Sequence, residues 1–289
     1  MKTNINKTTD YRGRTVRILI VGTAVAAALF ISLSGAARAA EEDALKLLNE
    51  GSALIEQGKY NEAIDVLTLA AKSKFPPEMQ LDSNYSPIYT SRGLAYYHLG
   101  FVNEALSDYE TALALDPTNP DTLNNRGVIK EKKGDIAGAL ADYNAAITSN
   151  ALLASAYINR ASLLIQMKRT PEALKDLNNY ILLVADSPEV YNLRGKIYLD
   201  QGKRELAAAD FNRALFLAPG DRDATLNLGR LYIASREYAR AEQTISRVLA
   251  VNPDDAEAYL LRSKAREGLG NTAGAQEDMK RAKEINPNL

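Results

Sequence analysis

Five arginines in this sequence each stand sixteen residues ahead of an aspartate: Arg92 and Asp108, Arg126 and Asp142, Arg160 and Asp176, Arg194 and Asp210, Arg262 and Asp278. A guanidinium can meet a carboxylate through two parallel N–H···O bonds, a fork that fixes orientation as well as attraction. The same residue types could instead bind an anion or assist catalysis. The remaining inventory leaves little for catalysis, with no cysteine, no tryptophan and a single histidine, His98. Thiolate nucleophiles, disulfides and cysteine metal sites are excluded. One histidine builds neither a metal centre nor, with the scattered acids here, a nucleophile–base–orienter set. No catalytic residue, metal or cofactor is therefore expected.

The elements that carry these pairs recur every 34 residues, with repeats starting at residues 86, 120, 154, 188, 222 and 256. A further copy at 44–77 is set off by an eight-residue insertion at 78–85. Position twenty of the repeat is always alanine: Ala63, Ala105, Ala139, Ala173, Ala207, Ala241 and Ala275. Position eight is Gly51, Gly93, Gly127, Ala161, Gly195, Gly229 and Ser263. Small residues at such spacing let two antiparallel helices approach closely. Tyr109, Tyr143 and Phe211 at position twenty-four, and Tyr89, Tyr157, Tyr191 and Tyr259 at position four, fill the space beside them. Gly58, Gly100, Gly134, Gly202 and Gly270 fall where the first helix must end in a positive φ.

Arginine at position seven and aspartate at position twenty-three are present or absent together. The two repeats without them carry Glu50 with Val66, and Leu228 with Thr244. In an antiparallel hairpin turning near position fifteen the two positions lie level, so the spacing predicts one ion pair inside each hairpin. Pairing with the next repeat would set Asp210 against Leu228 and Arg262 against Thr244. The arginine is read as structural.

The pattern resembles the tetratricopeptide repeat (TPR) over residues 44–289. Tyrosine, leucine or threonine stands at position four, where the family usually has tryptophan. The resemblance implies an all-α, right-handed superhelical solenoid of antiparallel helix pairs whose first helices line a concave groove. Stacked repeats of this kind contact only their neighbours. It further implies that positions two, five, six, nine, twelve and thirteen of the first helix face a protein or peptide partner. On that basis the expected groove comprises Asn49, Leu94, Tyr97, Asn125, Val128, Asn159, Ser162, Lys196, Asn227, Arg230 and Lys264. The asparagines at position six could equally bond the neighbouring repeat. Lys196, Arg230 and Lys264 form a basic ladder that Glu189, Asp223 and Glu257 on the same helices could neutralise. The lysines that clamp chaperone C-terminal carboxylates in the family have no counterpart at positions two and five.

The N-terminus differs in character. Lys2, Lys7, Arg12, Arg14 and Arg17 precede the apolar run Ile18 to Leu33, and Ala37-Arg38-Ala39 follows. That order is the order of a secretory signal over residues 1–39, giving a periplasmic or otherwise exported protein. The alternative is an uncleaved anchor in an inner membrane, since 18–37 supplies about twenty mostly apolar residues. Apart from this segment no membrane contact is expected. Loss of residues 1–39 removes six of the 35 basic and one of the 36 acidic residues, for a net charge near −6. That balance lacks the basic footprint of nucleic-acid binding. The polar last helix suits a solenoid end, although stacking of that end on a second copy would make a homodimer.

Overall fold

A computed structural model describes residues 35–72 and 83–288. The apolar run 18–33 and the first five residues of the insertion, 78–82, lie outside the described residues. All regular structure among the described residues is helical. The helices are α1 (Gly35–Glu56), α2 (Tyr60–Lys72), α3 (Ser86–His98), α4 (Val102–Leu115), α5 (Pro120–Lys132), α6 (Ile136–Ser149), α7 (Ala154–Gln166) and α8 (Thr170–Leu183). They continue with α9 (Pro188–Asp200), α10 (Arg204–Leu217), α11 (Arg222–Ala234), α12 (Tyr238–Val251), α13 (Ala256–Gly268) and α14 (Thr272–Ile285). A 3-10 turn at Ser83–Tyr85 leads into α3. Among the described residues no helix is long and apolar enough to cross a membrane.

The chain divides into two compact parts, one ending at Asp176 and one beginning at Leu177. In the first, α1 packs on α2, α3 on α4 and α5 on α6, and the odd-numbered helices α1, α3, α5 and α7 pack in sequence on one another. In the second, α9 pairs with α10, α11 with α12 and α13 with α14, while α9, α11 and α13 stack likewise. Within each part the hairpins thus lean on one another, which is what a repeat unable to bury its own apolar face requires.

Close approach within each hairpin depends on the pairing of a missing side chain with a large one. A Cβ built on Gly127 would come within 2.7 Å of Tyr143, and one on Gly195 within 2.7 Å of Phe211. Tyr143 and Phe211 are themselves fully buried. The turns between paired helices use a residue with positive φ. It is glycine at 84° in Gly134, but Lys168 at 58° and Arg236 at 62° occupy the same place in two repeats.

The five arginine–aspartate pairs all form forks. Arg92 Nε and Nη2 donate to Asp108 at 2.8 and 2.7 Å, and Arg126 to Asp142 at 2.9 and 2.7 Å. Arg160 reaches Asp176 at 2.7 and 2.6 Å, Arg194 reaches Asp210 at 2.8 and 2.7 Å, and Arg262 reaches Asp278 at 2.8 and 2.7 Å. The aspartate side chains are 2–8% exposed and the arginines 16–23%.

Two further contacts were not read from the sequence. The third nitrogen, Nη1, reaches the second helix of the preceding repeat, on Thr68 at 3.2 Å, Asn144 at 2.7 Å, Asn178 at 2.7 Å and Ser246 at 3.4 Å. The guanidinium also lies over the tyrosine three residues earlier, 5.4–5.9 Å from the rings of Tyr89, Tyr157, Tyr191 and Tyr259. One arginine therefore ties together its own helix, its hairpin partner and the previous repeat.

Removing one member of a pair this buried strands the other. Asp176→Ala is expected to cost about 3–5 kcal/mol. Asp176→Arg should melt earlier still, and adding Arg160→Asp should recover part of the loss in thermal melts. No recovery would mean that the fork contributes nothing of its own. Lys168→Gly should relieve left-handed strain and stabilise by about 1 kcal/mol in urea titrations, whereas Gly134→Ala should lose a similar amount.

Candidate protein-interaction surface

Most of the residues that the resemblance places on the inner face are closed off. In the first part, Leu94, Val128 and Ser162 are at most 1% exposed, and Asn125 and Asn159 are fully buried. Leu94 belongs to a core with Leu48, Ile55 and Ile88, and Val128 to one with Tyr143 and Leu163. Ser162 turns its hydroxyl to the Ile158 carbonyl at 2.9 Å. Such small or compact side chains end within the packed layer and present little to a partner. Ile158 at position five is buried as well. Tyr97 is half-buried, with Lys132 Nζ 4.4 Å above its ring. Asn49, by contrast, is exposed.

Two of the four position-six asparagines work between helices. Asn159 Nδ2 donates to Asn124 Oδ1 at 2.9 Å, and Asn124 Nδ2 donates to Asn125 Oδ1 at 3.4 Å. In the second part Asn227, 5% exposed, donates to Asn192 Oδ1 at 2.9 Å. The bonds from Asn159 and Asn227 reach the preceding repeat, so these two amides hold neighbouring helices in register.

The basic ladder is broken at its middle. Lys196 and Lys264 are exposed, but Arg230 pairs with Glu257 of α13 and donates to Asn227 Oδ1 at 2.7 Å. Neutralisation therefore comes from the next helix, while Asp223 is taken by Arg222 at 2.7 Å. Arg222 also forks to Asp255 at 2.5 and 2.9 Å and reaches Glu257 at 2.8 Å. Asp255 at the same time caps α13 by accepting from the Ala258 amide at 3.0 Å. This cluster spans two repeats, and its signal in the sequence was an arginine 33 residues before an N-cap aspartate.

His98 stacks on Tyr60 with ring centroids 4.6 Å apart. Burial, and then the charge of Lys132, hold its imidazole below the ordinary range. It is an aromatic packing residue that remains neutral near pH 7.

Two buried polar groups on α5 and α7, Asn125 Nδ2 and Ser155 Oγ, make no hydrogen bond within ordinary distance. Asp121, on the first turn of α5, is half-buried. Burial pushes its carboxyl up to about 6.

That displacement carries a sign. A carboxyl held near 6 against an ordinary 3.8 burdens the ionised fold by about 2–3 kcal/mol. The burden is complete above pH 6 and is lifted as pH falls through 6 toward 3.8. Asp121→Asn should therefore raise the melting temperature at pH 8 and leave it nearly unchanged at pH 3.5. An equal effect at both pH values would show that the charge is not responsible.

Comparison with known proteins follows the same lines. Models described as tetratricopeptide repeat or TPR repeat match residues 93–134, 158–222, 198–265 and 256–289. No curated protein matches the chain. Among solved structures, the C-terminal part of a TPR repeat-containing protein from Cytophaga hutchinsonii aligns with a TM-score of 0.63 and 21% identity, covering 84% of this chain and 96% of that one. PilF of Pseudomonas aeruginosa aligns at 0.60 and 22% identity, covering 71% of this chain and 93% of its own. YrrB, described as a TPR protein with an unusual peptide-binding site, aligns at 0.55 and 18% identity, covering 62% of this chain and 92% of its own. At these identities the likeness is one of fold. With four such models together matching more than half of the chain and fourteen helices packed in consecutive pairs among the described residues, the chain belongs to the tetratricopeptide repeat family.

Proposed function

We propose that the protein is a non-catalytic adaptor or scaffold of the cell envelope that holds a peptide or protein partner against the first helices of its repeats. The observation that carries this reading is a division of labour along the repeat. Positions eight, twenty and twenty-four keep their character from copy to copy and are consumed in hairpin packing. Positions two, nine and thirteen change at almost every copy, and several of their side chains are exposed, as at Gln166, Lys196, Asp200 and Asp223. Varied side chains on an unvarying frame suit recognition of one particular partner. The peptide-binding site named for YrrB supports the same class of partner, and the charged, apolar, small order of residues 2–39 supports export to a periplasm.

A tethered scaffold is the second reading. It is favoured by α1, which begins at Gly35 and runs unbroken through Ala37-Arg38-Ala39 to Glu56. A protease needs its substrate extended, so a helix there would protect the junction. N-terminal sequencing of the protein from cells separates the two forms.

The adaptor reading is tested by photo-crosslinking residues at Lys196 and Lys264, both exposed on first helices, with exposed Ala209 of α10 as the outer-face control. A protein partner trapped from the first two and not the third is the expected outcome. Adducts from Ala209 alone would move the interaction to the second helices, and adducts only with the protein itself would make it a self-assembling scaffold.

A further inference from the structure

Two helix faces each present half of a repeat junction with the other half missing. At position ten the first helices are otherwise buried, at Ala95, Ile129, Leu163, Ile197, Leu231 and Ala265. Ala53, the same position of α1, is exposed. Lys46, Asn49, Glu50 and Gln57 are exposed with it and fall on the same side of the helix by their spacing. In the last repeat, Thr272, Ala275, Gln276, Met279, Lys280 and Lys283 line an open cleft of about 610 Å³ along α14.

The internal junctions show what such faces meet. Position ten packs on positions twenty and twenty-four of the preceding repeat, Ile129 on Ala105 and Tyr109, and Leu163 on Ala139 and Tyr143. Position seven reaches position twenty-five, as Arg160 reaches Asn144 and Arg262 reaches Ser246. Carried over to α1 and α14, the first rule sets Ala53 against Ala275 and Met279. The second sets Glu50 against Lys280, two opposite charges. Where both positions are charged inside the chain, at Arg126 and Glu110, the signs are opposite as well. Neither Glu50 nor Lys280 is committed elsewhere. Glu50 has no ion pair among the described residues, since Val66 stands at its position twenty-three. Lys280 is 79% exposed and has only Glu284, 3.9 Å away on its own helix.

We propose that the protein associates with itself head to tail, the outer face of α1 in one copy seating on α14 of the next as a further first helix would. Each copy offers one face of each kind, so the contact is heterologous and passes from copy to copy instead of stopping at a two-fold dimer. It uses the first and last helices and not the inner face, and it goes beyond the adaptor reading. One edge of the junction opposes it. Gln166 at position thirteen donates to Glu131 at position twelve of the preceding repeat at 3.1 Å. Between copies the same two positions are Glu56 and Glu267, both exposed acids.

Sedimentation velocity of the full-length chain across a range of concentrations tests the contact, with circular dichroism recording that each form is folded. The wild type should associate reversibly. Glu50→Lys and Lys280→Glu, each alone, should weaken association at least about tenfold, because like charges then meet. An equimolar mixture of the two variants should associate again, since each α1 finds an opposite charge on the other variant's α14. Glu56→Gln should strengthen association, a gain that misfolding does not produce. A wild type that stays single at every concentration, reversals without effect, or a mixture that fails to recover would each overturn head-to-tail stacking. None of these outcomes bears on crosslinking from Lys196 and Lys264, so the adaptor reading stands or falls separately.

Discussion

Most hairpins in this structure are organised around one polar bond, the fork between position seven and position twenty-three. The family's hairpins can be closed with apolar contacts alone, and the repeat with Leu228 and Thr244 shows it, since both side chains are buried. Where the fork occurs it adds direction. Two parallel bonds between a planar guanidinium and a carboxylate forbid the sliding that an apolar seam tolerates. The third nitrogen then extends the constraint to the preceding repeat through Asn144 or Asn178. Helix spacing and repeat stacking are thus fixed at one residue, and the glycine next to it, Gly127 or Gly195, provides the close approach that brings the charges within reach.

Burial decides how that bond should be valued. Taking an arginine and an aspartate from water costs several kcal/mol per ion, so an intact pair adds little net stability while a broken one is costly. The yield is specificity of register. Tyrosine at position four limits the desolvation cost by offering the guanidinium a ring face, 5.4 Å away at Tyr259.

The frame was legible in the sequence because the chain contains its own comparison set. Arginine and aspartate vanish together at Glu50/Val66 and at Leu228/Thr244, which a single repeat could never reveal. The inter-repeat bonds were not legible, because their acceptors are Thr68, Asn144, Asn178 and Ser246, residues that share an oxygen rather than a type. The inner face was read least well. Position in a helix says which way Leu94, Val128 or Ser162 points, but not whether an adjacent helix already covers it. For compact side chains between tightly stacked helices, it does. Long side chains escape the same layer, which is why Lys196 and Lys264 remain exposed.

Charge is the last thing that the frame redistributes. At 222–255, one of the two repeats without a fork, the link to its neighbour moves from position seven to position one. There Arg222 holds the N-cap Asp255 while Arg230 meets Glu257. A ladder that looks basic on paper is in this way reduced to its two end lysines. In the first part the frame does the opposite. It assigns every arginine and lysine of α3, α5 and α7 to an aspartate or an aromatic ring, and none of these cations pairs with Asp121. Position-specific charge on the inner face is therefore what remains after the structural pairs are subtracted. What is left is an acid at Asp121 and exposed lysines at Lys196 and Lys264, the two signs lying on separate compact parts of the chain.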